Sequence, residues 1–172
     1  GVFHLSKSGG IFSAKNLGIT GSTSDDLLLI GIENYNSEIS LHFYPVEVKF
    51  GINNSEVIKK AKEQVNKTKQ LLMGALVLDY PNTFKEKFYR NFFVQLLLSN
   101  LNKIVQNDIW PSKQYELDDE AVEKLTKLEF KITDHLTSLI GKGAVFSFKE
   151  GSSARTAYVD EEIHMIEFSK ED

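Results

Sequence analysis

The sequence predicts a mixed α/β domain in which helices cover a single sheet. Short apolar segments bounded by turn residues, typical of strands, occur in the first third and again near the end. Two long segments with helical spacing of apolar residues lie between them. No repeat, linker or low-complexity tract divides the 172 residues. We therefore expect one domain spanning residues 1–172.

The predicted strands begin in a segment rich in Gly, Ser and Thr, with short strands at residues 2–5 and 10–14. Residues 27–32 and 39–49 follow as stronger strand candidates. The turn at residues 34–38 lies between them, so the pair reads as a β-hairpin. Residues 144–149, 157–160 and 163–168 are predicted to complete the sheet.

Three helices are predicted between these two groups of strands. Asn54 or Ser55 can cap the first helix, whose apolar stripe comprises Val57, Ile58, Ala61, Val65, Thr68 and Leu72. Residues 83–105 are predicted to form a second, largely buried helix. Asp118 and Asp119 favour the start of a third helix, predicted to continue to Gly141.

Composition limits the classes of function. The chain has no cysteine, which excludes disulfides and thiolate metal sites and suits a reducing cytoplasm. No apolar run is long enough to span a bilayer. The net charge is −4, but residues 49–103 contain 10 basic and 4 acidic residues, a local excess of +6. A phosphate-binding surface is expected to come from this middle third.

Charged residues at the end of the second hairpin strand are the candidates for chemistry. Glu47 and Lys49 point to the same side, because side chains alternate along a strand. With the turn centred between residues 36 and 37, opposed residues have numbers that sum to 73, which places Asp26 opposite Glu47. A one-residue slip would substitute Asp25.

Two adjacent carboxylates repel each other unless a cation or a proton lies between them. Mg²⁺ or Mn²⁺ suits Asp26 and Glu47, and Lys49 can then orient the attacking water or stabilise charge on a phosphate. The competing interpretation is a structural salt bridge between Asp26 and Lys49. The tripeptide Glu47-Val48-Lys49 is by itself a weak signal. A second tripeptide of the Glu-x-Lys type, Glu129-Phe130-Lys131, lies within a predicted helix that has no paired strand.

Two segments carry a resemblance to a known family: Ser24-Asp25-Asp26-Leu27-Leu28-Leu29-Ile30 and Tyr44-Pro45-Val46-Glu47-Val48-Lys49. With the helix that follows them, residues 22–72 resemble the PD-(D/E)XK nuclease superfamily. The resemblance implies a restriction-endonuclease-like central mixed sheet flanked by helices. It also implies metal-dependent DNA cleavage, with Asp26 and Glu47 as metal ligands and Lys49 as a catalytic residue.

Gln64 fits a further feature of this superfamily. Members similar to the RecB nuclease place a Gln on the helix after the Glu-x-Lys strand, which implies a supporting catalytic role for Gln64. Its spacing from Ala61 and Val57 puts it on the inward stripe of the helix. An ordinary core glutamine bonded to water is the alternative.

The beginning of the chain departs from the family pattern. The superfamily core usually starts with a helix that often contributes a Glu, but no acidic residue precedes Asp25. The first core helix is therefore expected to be missing, and Gly1 in place of Met predicts a fragment of a longer chain. The sequence around Glu47 is also similar to nuclease domains attached to HerA/FtsK-type ATPases in phage-defence restriction systems, including phosphorothioation-dependent restriction proteins. That similarity implies an ATPase or translocase partner.

Basic residues on the first helix are the predicted DNA-backbone contacts: Lys59, Lys60, Lys62 and Lys67. The leading hypothesis is a cytoplasmic, Mg²⁺-dependent endodeoxyribonuclease domain. The first alternative is a catalytically inactive DNA-binding or assembly module with the same fold, and the second is an unrelated α/β interaction domain. The four histidines show no metal-ligand spacing and are predicted to be ordinary surface or core residues.

Overall fold

The computed structural model describes residues 2–3, 27–76, 83–106 and 117–169. The elements in chain order are β1 (Val2–Phe3), β2 (Leu27–Tyr35), β3 (Glu38–Gly51), α1 (Ser55–Leu76), α2 (Phe84–Gln106), α3 (Asp119–Thr126), β4 (Phe130–Ile132), α4 (Thr137–Ile140), β5 (Gly143–Lys149), β6 (Thr156–Asp160) and β7 (Ile163–Ser169). The strand predicted at residues 10–14 and the segment that would hold a first core helix lie outside these ranges.

The hairpin of β2 and β3 sets the register of the sheet. Its turn consists of Asn36 and Ser37, with φ of 49° and 62°, the two left-handed conformations that a tight hairpin turn of type I′ requires. Tyr35 pairs with Glu38, and the ladder continues to Leu27 and Val46. The predicted register is confirmed over all of these pairs.

Strand β3 lies inside one mixed sheet, whose order within the described residues is β1-β2-β3-β5-β7-β6. β2 pairs antiparallel with one edge of β3. On the other edge, β4 pairs in parallel with residues 39–41 and β5 in parallel with residues 46–51. Pro45, which has no N–H to donate, lies in the gap between these two partners. The predicted mixed α/β class is confirmed.

Helix α1 begins where Asn54 Oδ1 accepts hydrogen bonds from the backbone N–H groups of Glu56 (3.1 Å) and Val57 (3.0 Å). Its buried residues pack against β3 and β5. The main core lies between the sheet and the helices and includes Leu28, Ile30, Leu41, Phe43, Leu72, Phe93 and Leu97. No helix within the described ranges has the length and apolar character needed to cross a membrane.

Gly143 allows α1 to approach the sheet closely. A Cβ at this position would lie 2.5 Å from the carbonyl oxygen of Pro45 and 2.5 Å from Cγ1 of Val65. A side chain would therefore force α1 away from β5 and also force β5 away from β3.

The prediction of one continuous helix from Asp118 to Gly141 is wrong, because α3 ends at Thr126 and β4 separates it from the short α4. Leu128 adopts a left-handed φ of 64°, and the Glu129 N–H donates to the Lys124 carbonyl at 2.9 Å, which closes the helix as a Schellman motif does. Phe130 then pairs with Ile39 in β4. The tripeptide Glu129-Phe130-Lys131 thus leads into a paired strand and does not lie in a helix.

Candidate active site

Glu47 and Lys49 lie on the side of β3 that faces α1. The Glu47 side chain is only 1% exposed, whereas the Lys49 side chain is 23% exposed. Lys49 Nζ donates a hydrogen bond to Glu47 Oε1. The fold therefore places a buried carboxylate and a partly accessible ammonium together near the end of the strand.

Gln64 completes this group from α1. Its Oε1 accepts a hydrogen bond from Lys49 Nζ at 3.1 Å. Its neighbours Ala61 and Val65 are fully buried against the sheet, so the helix surface that carries Gln64 is held toward β3. Three of the four predicted catalytic residues are thus in direct contact.

The second oxygen of the Glu47 carboxylate has an unusual environment. Within the described part of the chain, Oε2 is buried and has no hydrogen-bond partner. Burial of a carboxylate oxygen without a partner lowers the stability of the fold, because the oxygen has lost its hydrogen bonds to water and has formed none with the protein. An oxygen ligand of this kind fits a hard divalent cation such as Mg²⁺.

The predicted partner carboxylate, Asp26, lies outside the described residues, as does its alternative, Asp25. The ladder ends at Leu27, which pairs with Val46. The placement of Asp26 opposite Glu47 therefore stays a prediction from the register.

Asn53 supports the site, although the sequence analysis assigned it no role. Its side chain is buried, with Nδ2 2.9 Å from Ser147 Oγ. Nδ2 also donates to the carbonyl oxygens of Lys49 and Phe148, both at 3.2 Å. Asn53 thereby ties the end of β3 to β5. Its left-handed φ of 46° is a conformation that Asn tolerates better than most residues.

Glu167 is a second carboxylate that the sequence analysis missed. Ser147 pairs with Lys49 on one side and with Glu167 on the other, so the three residues form a row across the sheet. Glu167 Oε2 accepts a hydrogen bond from Thr156 Oγ1 at 3.2 Å. Two strand spacings separate Glu167 from Lys49, a distance of about 10 Å. The alternation of apolar residues in β7 could have indicated that Glu167 faces α1.

The four predicted DNA contacts differ in their surroundings. Lys59 and Lys67 are exposed, and no ion pair involving either occurs among the described residues. Lys60 is also exposed but pairs with Glu56 at 2.8 Å, and this contact raises the pKa of Lys60. Lys60 and Lys67 lie four residues before and three residues after Gln64, so both neighbour it on the helix surface.

Lys62 points away from this surface. Its Nζ lies 2.6 Å from Asp160 Oδ2 and 3.4 Å from Glu161 Oε2, and its side chain is only 14% exposed. The hydrogen bond with Asp160 is the largest cause of its raised pKa. Lys62 therefore joins α1 to the turn between β6 and β7, and much of its charge is already neutralised.

Two of the histidines come together with a carboxylate on the opposite side of the sheet. His42 and His135 both contact Glu33, a grouping that sequence spacing did not reveal.

Comparison of the chain with protein-family models, curated proteins and solved structures finds no match in any of the three. The function proposed below therefore rests on the geometry of the site and on the resemblance of the two motifs.

Proposed function

We propose that this domain hydrolyses DNA phosphodiester bonds with the aid of a divalent metal ion. Glu47 and Asp26 would hold Mg²⁺ or Mn²⁺, Lys49 would act on the attacking water or the phosphate, and Gln64 would hold Lys49 in place. The environment of Glu47 is the main support, because one carboxylate oxygen contacts Lys49 and the other is buried without a partner among the described residues.

The register of the hairpin supports the choice of Asp26. Extension of the observed ladder by one pair beyond Leu27 and Val46 would bring Asp26 opposite Glu47 on the face that carries α1. Two carboxylates and water are a sufficient set of ligands for Mg²⁺, which seldom takes more than two from a protein. When bound, the ion would lower the pKa of a coordinated water and polarise a phosphoryl oxygen.

Lys49 is placed to help the reaction at the phosphate. Its side chain is partly exposed, so the ammonium can reach a substrate while Glu47 and Gln64 fix its position. Attack of the water oxygen forms a new P–O bond, a P–O bond of the backbone breaks, and the leaving oxygen takes up a proton. Negative charge grows on the phosphoryl oxygens during this step, and a fixed ammonium stabilises it.

The DNA substrate is proposed from the resemblance and from the charge on α1. Lys60 and Lys67 flank Gln64 on the helix surface, and Lys59 is exposed on the same helix. Phosphate contacts of this kind give affinity without sequence selectivity. Association with an ATPase or translocase rests on the sequence similarity alone.

Plasmid nicking tests the proposal. We expect cleavage in Mg²⁺ or Mn²⁺, none in EDTA, and a loss of at least about a hundredfold in Glu47→Gln and Lys49→Met. The second Glu-x-Lys tripeptide supplies matched controls, since Glu129 and Lys131 are exposed at the edge of the domain. Glu129→Gln and Lys131→Met should cleave as the wild type does. Equal cleavage by all four variants would rule out this site.

The contact between Glu47 and Lys49 also favours a second candidate, an inactive DNA-binding or assembly module with the same fold. A lysine can neutralise a buried glutamate without any metal. In that case Mg²⁺ would not raise the melting temperature, and DNA binding would occur without cleavage. Thermal unfolding of the wild type and of Glu47→Gln, each with and without Mg²⁺, separates the two candidates.

A further inference from the structure

Three side chains with metal-binding atoms meet on the face of the sheet opposite Glu47. Glu33 lies on β2, His42 on β3 and His135 shortly after β4, and their candidate ligand atoms all lie within 4.8 Å of one another. His42 Nε2 is 2.7 Å and His135 Nε2 is 3.3 Å from the same oxygen, Glu33 Oε2. Glu33 and His42 are diagonal neighbours in the hairpin, and the fold brings His135 to them from a distant segment.

The imidazole of His135 is held in an orientation that suits metal binding. Thr133 Oγ1 accepts the backbone N–H of His135 at 3.1 Å and lies 2.7 Å from Nδ1 of the ring. A hydroxyl oxygen has two lone pairs, so it can accept a hydrogen bond from Nδ1–H as well. That tautomer leaves the Nε2 lone pair directed toward Glu33. Metal-bound histidines usually have their other ring nitrogen fixed in this way.

His42 contributes a buried ligand to the group. It is only 5% exposed, and its ring lies edge-on to that of His135, with centroids 4.8 Å apart. Two imidazoles therefore share a single carboxylate oxygen. A lone pair on either Nε2 would be repelled by that oxygen unless a cation lay between them.

We propose that Glu33, His42 and His135 form a zinc site, separate from the proposed nuclease site and independent of it. Imidazole and carboxylate ligands suit Zn²⁺. Metal–ligand bonds of about 2.0–2.1 Å in a tetrahedron separate the ligands by roughly 3.4 Å. The ligand atoms are 2.7 and 3.3 Å from Glu33 Oε2 and all lie within 4.8 Å of one another. The buried His42 can therefore stay in place while the partly exposed side chains of Glu33 and His135 adjust.

The fourth coordination position has room for water or a small ligand. A cavity of about 480 Å³ adjoins the group and is lined by Glu33, Tyr35, Asn36, Glu38, Ser40 and His135. Three protein ligands with one open position are typical of a reactive zinc site and not of a purely structural one. The ligand class expected there is a small molecule that coordinates through an oxygen or nitrogen atom.

Titration with Co²⁺, followed by its visible absorption and by calorimetry, tests the zinc site. The wild type should bind one Co²⁺ with the intense absorption of four-coordinate cobalt, and Zn²⁺ should displace it. His135→Ala and Glu33→Gln alter partly exposed residues and should fold, and each should weaken binding at least about tenfold. Thr133→Val, which removes the support of His135, should weaken it by roughly tenfold.

Matched controls make the outcome decisive. Glu38→Gln removes a carboxylate in the same cavity that pairs with Lys131 and should leave Co²⁺ affinity unchanged. The titration is repeated in Glu47→Gln, so that Co²⁺ bound at the proposed nuclease site is not counted. His135→Ala should retain Mg²⁺-dependent nicking. Absence of the four-coordinate spectrum in the wild type, or equal Co²⁺ affinity in His135→Ala, would overturn the proposal.

Discussion

Replacement of Lys49 by Met should destabilise the domain much more than replacement of Glu47 by Met. Lys49→Met leaves the Glu47 carboxylate, which is 1% exposed, without its cation. Loss of one partner of a buried ion pair costs about 3–5 kcal/mol. Because Lys49 is 23% exposed, the pair keeps some contact with water, and we expect a loss of about 3 kcal/mol. Glu47→Met leaves an ammonium that can reach solvent and should cost about 1 kcal/mol.

The double variant Glu47→Met/Lys49→Met should recover most of this loss. Apolar side chains of similar volume often replace a buried ion pair without a net cost, so the double variant should unfold within about 1 kcal/mol of the wild type. Urea unfolding in EDTA measures all three variants, and 3 kcal/mol corresponds to a midpoint shift of about 1–2 M. Equal losses in the two single variants would refute this reasoning, as would a double variant whose loss is the sum of theirs.

Addition of Mg²⁺ then connects stability to the proposed function. If Glu47 holds the ion, Mg²⁺ at ten times its Kd should raise the free energy of unfolding of the wild type by roughly 1.4 kcal/mol. The double variant lacks the carboxylate and should not respond. A buried ion pair that contributes little net stability is consistent with a site kept for its chemistry.

Three further predictions concern packing, alkaline pH and DNA. Gly143→Ala should lower the free energy of unfolding, measured by urea unfolding, by about 1–3 kcal/mol, because the added Cβ would meet Pro45 and Val65 at 2.5 Å. An unchanged urea midpoint would show that α1 does not pack this closely. Burial raises the pKa of Tyr44 above 10.0, so the folded state favours the neutral phenol, and stability that is complete below pH 10 should fall as the pH rises through the raised pKa. Tyr44→Phe should lessen that alkaline loss, and identical pH profiles would contradict it. Lys67→Ala should weaken DNA binding, measured by fluorescence anisotropy, and should reduce the slope of the logarithm of the DNA association constant against the logarithm of salt concentration by about 0.9. A slope equal to that of the wild type would exclude a contact between Lys67 and a DNA phosphate.

The hairpin was predictable because its signals agree with one another. Asn36 and Ser37 tolerate the conformations of a tight turn, and apolar segments flank them, so the turn alone fixes every pair as far as Leu27 and Val46. The same register gives the common orientation of Glu47 and Lys49. The spacing of Gln64 from Ala61 correctly indicated that it faces the sheet, and its contact with Lys49 depends on how closely α1 packs.

The end of α3 was not predictable because its stop signal is atypical. Leucine rarely adopts a left-handed φ, and Leu128 occupies the position where glycine normally ends a helix. Pairing of Phe130 with Ile39 stabilises this conformation from outside the segment. The hairpin register makes Glu33 and His42 diagonal neighbours on one face, so their contact could have been predicted. His135 joins them only because β4 pairs with β3, a contact between distant segments that spacing along the chain does not indicate.

Anomalous scattering from crystals soaked in Mn²⁺ tests the metal-dependent site most directly. We predict a peak about 2.1 Å from Glu47 Oε2 and from a carboxylate oxygen of Asp26, which is lost in Glu47→Gln. Absence of a peak near Glu47, with Lys49 still bonded to its carboxylate, would contradict the account.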